Sequence, residues 1–127
     1  MKWRLAFIGF GTVGQGFAQI LLEKKEMLKK RYGLDYSVVA ISDLFKGSVY
    51  DANGLDIGRI LDMVKAEEKL DEYPTGVKGL DALTTIKETD SNVIVEVTYT
   101  DVKTGEPALT HVGKALEESK HVISTNK

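Results

Sequence analysis

The sequence has no cysteine. That excludes a disulfide framework, a thiol nucleophile and any cysteine-built metal site. Histidine is scarce as well: His111 and His121 stand alone, outside any set with ligand or triad spacing. Both read as ordinary surface or boundary residues, and no metal site is expected. No apolar run approaches the ~20 residues that a membrane-crossing helix needs. Neither sign of charge dominates, with a formal net charge of −2 and a pI near 5.7, so nothing points to nucleic acid or an anionic membrane as a partner. Repeats and low-complexity segments are absent. Met1-Lys2-Trp3-Arg4 runs straight into an apolar stretch and leaves no room for a signal peptide. The expectation is a soluble cytoplasmic protein.

What is present is a chain of 127 residues, 43% hydrophobic and 28% charged, enough for one domain spanning residues 1–127 around one core. Its organising stretch is Gly9-Phe10-Gly11-Thr12-Val13-Gly14. This stretch follows the apolar run Leu5-Ala6-Phe7-Ile8 and opens a long amphipathic segment, the strand–turn–helix order of a dinucleotide-binding unit. Gly9 would turn the chain off the strand, Gly11 would let a pyrophosphate approach the backbone, and Gly14 would let helix and strand pack closely. N–H groups of the first helical turn would face the phosphates. The bland alternative is a glycine turn that serves packing alone.

The remaining elements follow in order. Trp3–Ile8 reads as a strand, and Thr12–Tyr32 as a helix whose apolar stripe is Val13, Phe17, Ile20, Leu21, Met27 and Leu28. Lys29, Lys30 and Arg31 suit the negative end of its dipole, and Gly33 suits a left-handed C′ position. Tyr36–Ile41 is a second strand, ending in Ser42-Asp43. An acid there can accept hydrogen bonds from the adenosine ribose. Asp43 lies 34 residues after Gly9, beyond the usual spacing of about 20, and the long helix accounts for most of the excess.

Phe45–Asn53 reads as a loop, residues 56–70 and 80–87 as short helices, and residues 71–79 as irregular, with no strand between Phe45 and Asp90. Asn92–Thr98 is the third strand. Glu96 interrupts it, and because a buried carboxylate needs a partner, it is expected at an edge or near the strand's exit. Glu106-Pro107 opens another helix, and His121–Ser124 is the fourth strand. The fold class is α/β, a Rossmann-like doubly wound parallel sheet truncated after its fourth strand, with strand 1 central between strands 2 and 3.

Three stretches together resemble the homoserine dehydrogenase family: the glycine motif; Val95-Glu96-Val97-Thr98 with Thr104-Gly105-Glu106-Pro107-Ala108; and Lys120 to Ser124 with Thr125-Asn126-Lys127. The resemblance implies an oxidoreductase that moves hydride between NAD or NADP and its small-molecule substrate, homoserine or aspartate semialdehyde. The family serves threonine, methionine and isoleucine biosynthesis. It further implies that Phe10, Thr12 and Val13 touch the pyrophosphate and its ribose, that Thr98, Tyr99 and Thr125 lie near the nicotinamide, and that Lys127 is the catalytic lysine. Family members continue into a substrate and dimerisation domain, so a homodimer through that domain is expected of the parent enzyme. Some relatives carry arginine just after the strand-2 acid. Here Leu44 takes that place and Lys46 is the nearest cation, so NAD is expected, with imperfect exclusion of NADP. A nucleotide-sensing regulatory domain and another amino-acid or semialdehyde dehydrogenase remain as alternatives.

Overall fold

The computed structural model describes residues 2–99, 101 and 103–125. Its sheet has six strands in the order β4-β3-β2-β1-β5-β6. They are β1 (Lys2–Ile8), β2 (Asp35–Asp43), β3 (Gly47–Tyr50), β4 (Val77–Lys78), β5 (Val93–Glu96) and β6 (His121–Ser124). Four of them, β2, β1, β5 and β6, run parallel. Strand β1 is central, with β2 and β5 on its two sides, as its nearly all-apolar sequence requires. Asn92 N–H to Arg4 C=O (2.8 Å) and Val97 N–H to Ile8 C=O (2.9 Å) extend the β1–β5 pairing one residue past each end of β5.

Helices α1 (Thr12–Tyr32) and α2 (Ile57–Lys65) belong to one face; α3 (Ala82–Glu88) and α4 (Ala108–Glu117) belong to the other. The first face buries Leu5, Phe7, Leu21, Ile60 and Leu61; the second buries Ala6, Ile8, Ile86, Ile94 and Ala115. Alternate residues of β1 thus feed two cores, as the two-residue period of a strand dictates. This is the doubly wound, Rossmann-like arrangement.

Local details follow from the sequence. Gly33 ends α1 at φ +65°, and its N–H and that of Leu34 take the carbonyls of Lys29 and Leu28, a Schellman-type close. The α1 stripe is narrower than its spacing predicts, because Val13 and Ile20 are exposed while Gly14, Ala18 and Leu21 meet the sheet. The helix predicted over 56–70 stops at Lys65. Glu67 there is left-handed (φ +60°), and Leu70–Glu72 form a 3₁₀ turn around buried Leu70.

Two strands contradict the reading of 45–90 as strandless. Asp43 pairs with Gly47 across a three-residue turn, and β3 returns antiparallel to β2. Gly47, at φ +93°, occupies the left-handed site that such a hairpin needs. Strand β4 adds two residues to β3. Both are short and antiparallel, with β4 at the sheet edge, so they lack the long apolar run that marks a buried parallel strand.

Lys120 ties the chain before β6 to the end of α3 and the turn after it. Its Nζ donates to the carbonyls of Ile86 and Thr89 (3.1 Å for Thr89) and to Ser91 Oγ (3.2 Å). Lys120→Met keeps the stem and strands these acceptors in a half-buried place. It should cost about 1–3 kcal/mol in urea unfolding, and an unchanged midpoint would show that water replaces the ammonium freely.

Candidate functional site

The carboxyl ends of β1, β2 and β5 surround a cleft of about 900 Å³, within the range of small-molecule and cofactor sites. Its position is where ligands of open α/β sheets bind, at the switch point beside the central strand.

The glycine turn forms its floor. Gly9 has φ +91°, and a Cβ on it would lie 2.9 Å from backbone atoms of Val97 and Thr98. Gly9 is therefore fixed by packing. A Cβ on Gly14 would sit 3.2 Å from Val97 Cγ2, so helix and strand do meet closely there. Gly11 differs from both: a Cβ on it would meet nothing within 4 Å. It precedes α1 and offers no capping side chain, so the first-turn N–H groups, which have no intrahelical acceptor, border open space. Thr12 and Val13 are exposed beside them. Phe10 is different again. Its ring is fully buried edge-on to Phe7 at 5.7 Å, and its carbonyl accepts from Gln15 Nε2 (2.9 Å).

Asp43 closes the β2 side. Its Oδ2 accepts the Phe10 N–H (2.7 Å), and its Oδ1 accepts those of Phe45 (2.9 Å) and Lys46 (2.8 Å). The carboxylate therefore does two structural jobs: it ties the glycine turn to β2 and starts the β2–β3 hairpin. Burial pushes its pKa up, but the three N–H bonds and the nearby Lys46 ammonium outweigh burial and hold it below the ordinary aspartate value. Three of roughly four lone-pair positions are used, which leaves one for a ligand hydroxyl. Leu44 and Phe45 beside it are exposed, at 92% and 75%.

The β5 side holds what the sequence reading missed. Glu96 is the last residue of β5 and is completely buried. It sits at the strand's exit, one of the two places expected, and not at a sheet edge, since β5 lies between β1 and β6. Its Oε1 accepts from the Thr98 N–H (2.8 Å) and the Thr98 hydroxyl, and its Oε2 pairs with His111 Nδ1. Burial raises the Glu96 pKa, yet the bonds from His111 and Thr98 prevail and hold it below the ordinary glutamate value. His111 is thus no surface histidine. It lies in the first half of α4, 8% exposed, and lines the cleft. The signal was Glu96 itself, a carboxylate in an apolar strand that must find a partner.

Thr98 and Tyr99 also line the cleft, Thr98 half-buried and Tyr99 86% exposed. Lys46 lines it from the opposite side. Thr125 is exposed just past β6. Lys127 lies outside the described residues. No group of three or more His, Asp or Glu side chains could hold a metal ion among the described residues, and no described helix is long and apolar enough to cross a membrane.

Comparison with known proteins adds the family. The family model for glutamate/leucine/phenylalanine/valine dehydrogenases matches residues 2–104. The chain belongs to this dehydrogenase family. Across its full length it is also similar to homoserine dehydrogenases, in line with the three motifs. It is 37% identical over 123 residues to homoserine dehydrogenase of Methanocaldococcus jannaschii, covering 97% of this chain and 36% of that one. It is 35% identical over 128 residues to the NAD(+)-dependent homoserine dehydrogenase of Pseudomonas canavaninivorans, covering 99% and 36%. The chain therefore spans little more than a third of the length of these relatives. Among solved structures, a hyperthermophilic archaeal homoserine dehydrogenase in complex with NADPH matches all of this chain and 36% of its own, at a TM-score of 0.79 and 23% identity. That likeness speaks for the fold alone.

Proposed function

We propose that the chain is the cofactor domain of a homoserine dehydrogenase and binds NAD, with NADP as a weaker alternative. The carrying observation is the open backbone at Gly11, set between the ribose-side acid Asp43 and the β5 side of the cleft. These residues fit a dinucleotide. The first-turn N–H groups of α1 would take the pyrophosphate, with Gly11, Thr12 and Val13 around it. A lone pair of Asp43 left free among the described residues would accept a ribose hydroxyl, and Thr98 and Tyr99 would flank the nicotinamide. When bound, the cofactor supplies the hydride chemistry. The chain's own residues bind and orient it. Lys127, by its motif, would hold or take the proton of the substrate hydroxyl. We further place the activity in threonine, methionine and isoleucine biosynthesis, in the cytoplasm, in a homodimer joined through a further domain.

The family model favours a second reading, oxidation of another amino acid, because it describes glutamate, leucine, phenylalanine and valine dehydrogenases. The homoserine reading is supported by similarity that runs through the residues after 104, where the model stops. A chimera of this chain with the remaining two thirds of the M. jannaschii relative should oxidise homoserine and leave the other four amino acids untouched. Turnover of glutamate or leucine instead would replace this reading by the second.

Cofactor choice is tested at Asp43. Asp43→Ser removes the repulsion of a 2′-phosphate and the ribose acceptor together, so calorimetric titration should show NAD weakened by about 1–3 kcal/mol relative to NADP. Because the variant also loosens the hairpin, the ratio of the two affinities is the readout. An unchanged ratio removes Asp43 from the ribose site.

A further inference from the structure

We propose that His111 is a positioning residue for the nicotinamide ring, its Nε2 accepting a hydrogen bond from the carboxamide NH₂. The inference rests on the dinucleotide reading above. Asp43 stands at the β2 side of the glycine turn, so a dinucleotide centred on Gly11 extends its other nucleoside over β5, toward Thr98 and His111. His111 lines the cleft there.

The tautomer follows from its partner. Glu96 is a carboxylate, which only accepts, so Nδ1 carries a proton, and in the neutral ring the lone pair then sits on Nε2. No partner for Nε2 is found among the described residues, although the side chain is only 10% exposed. A buried ring nitrogen without a partner, on a residue that lines a cleft, can receive a donor. Thr98 holds the second oxygen of Glu96 through both its N–H and its hydroxyl, so the carboxylate cannot swing and the ring is fixed from behind. A carboxamide is the donor a nicotinamide nucleotide presents at that end.

Three probes separate the outcomes: NAD, ADP-ribose, which lacks the nicotinamide, and 3-acetylpyridine adenine dinucleotide, which carries a methyl in place of the NH₂. The wild-type chain should bind NAD about 3–10-fold more tightly than the acetylpyridine analogue, the worth of one neutral hydrogen bond. In His111→Ala that ratio should fall to about one, with ADP-ribose affinity unchanged. Glu96→Gln provides the second variant. Thr98 N–H would hold the amide oxygen and turn the amide NH₂ toward His111, which moves the imidazole proton to Nε2. The ratio should again fall to about one, although His111 is intact. A ratio that survives in both variants overturns the proposal, as does ADP-ribose weakened as much as NAD, or a wild type that does not discriminate. A wild type that binds neither NAD nor ADP-ribose overturns the dinucleotide reading itself.

Discussion

Gly11→Val will leave the fold intact and remove dinucleotide binding. Gly11 has φ −82° and ψ −156°, an extended conformation open to any residue. Space around its Cβ is empty to 4 Å. The unfolding free energy should change by less than about 1 kcal/mol, the scale of a helix-cap substitution. The valine side chain would fill the space a pyrophosphate needs to reach the backbone N–H groups. Two lost bonds to a charged group, at about 1.5–3 kcal/mol each, amount to roughly a 100-fold loss of NAD affinity or more. Paired calorimetry and urea unfolding check both halves. Gly9→Val is the contrasting control, because φ +91° and the 2.9 Å approach to the Val97–Thr98 backbone should unfold the chain. Equal NAD affinity in wild type and Gly11→Val would end the dinucleotide reading.

That contrast between Gly9 and Gly11 shows what the sequence could say. The glycine pattern marked the turn, and the sharp bend at Gly9 and the close helix–strand approach at Gly14 were legible from their places in it. The parallel strands were legible because burial on both faces demands continuous apolar runs, as in Leu5–Ile8 and Val93–Val95. Strands β3 and β4 were not, since antiparallel strands of four and two residues carry no such run. Gly47 was visible as a turn residue, but its role in a hairpin depends on the pairing of Asp43 with Gly47, a tertiary fact. The position of Asp43 at the end of β2 was legible, whereas its bonds to Phe10, Phe45 and Lys46 depend on how the glycine turn and hairpin converge. The Glu96–His111 pair was half legible. The buried acid announced a missing partner, but the partner comes from a different element, 15 residues away, and no local spacing rule joins a strand end to a facing helix.

Removing that partner should be the most damaging single change outside the glycines. In His111→Ala the carboxylate of Glu96 stays fully buried, still accepting from Thr98 but without the imidazole. Breaking a buried pair from one side typically costs about 3–5 kcal/mol, a large share of a small domain's stability. The pH dependence carries the sign. Glu96 has its folded pKa depressed below the ordinary value, so this carboxyl binds fewer protons in the folded state than in the unfolded one. Its stabilisation is fully present above the unfolded pKa of about 4.3 and is lost as pH falls through the lower, folded pKa. In Glu96→Gln no proton is taken up at this site, so that part of the acid loss should vanish. Urea midpoints measured at pH 7, 5, 4 and 3 should fall more steeply for wild type than for Glu96→Gln below pH 5. Parallel curves for the two proteins would mean that Glu96 is not held ionised by His111 and Thr98, and the tautomer assigned to His111 would fall with it.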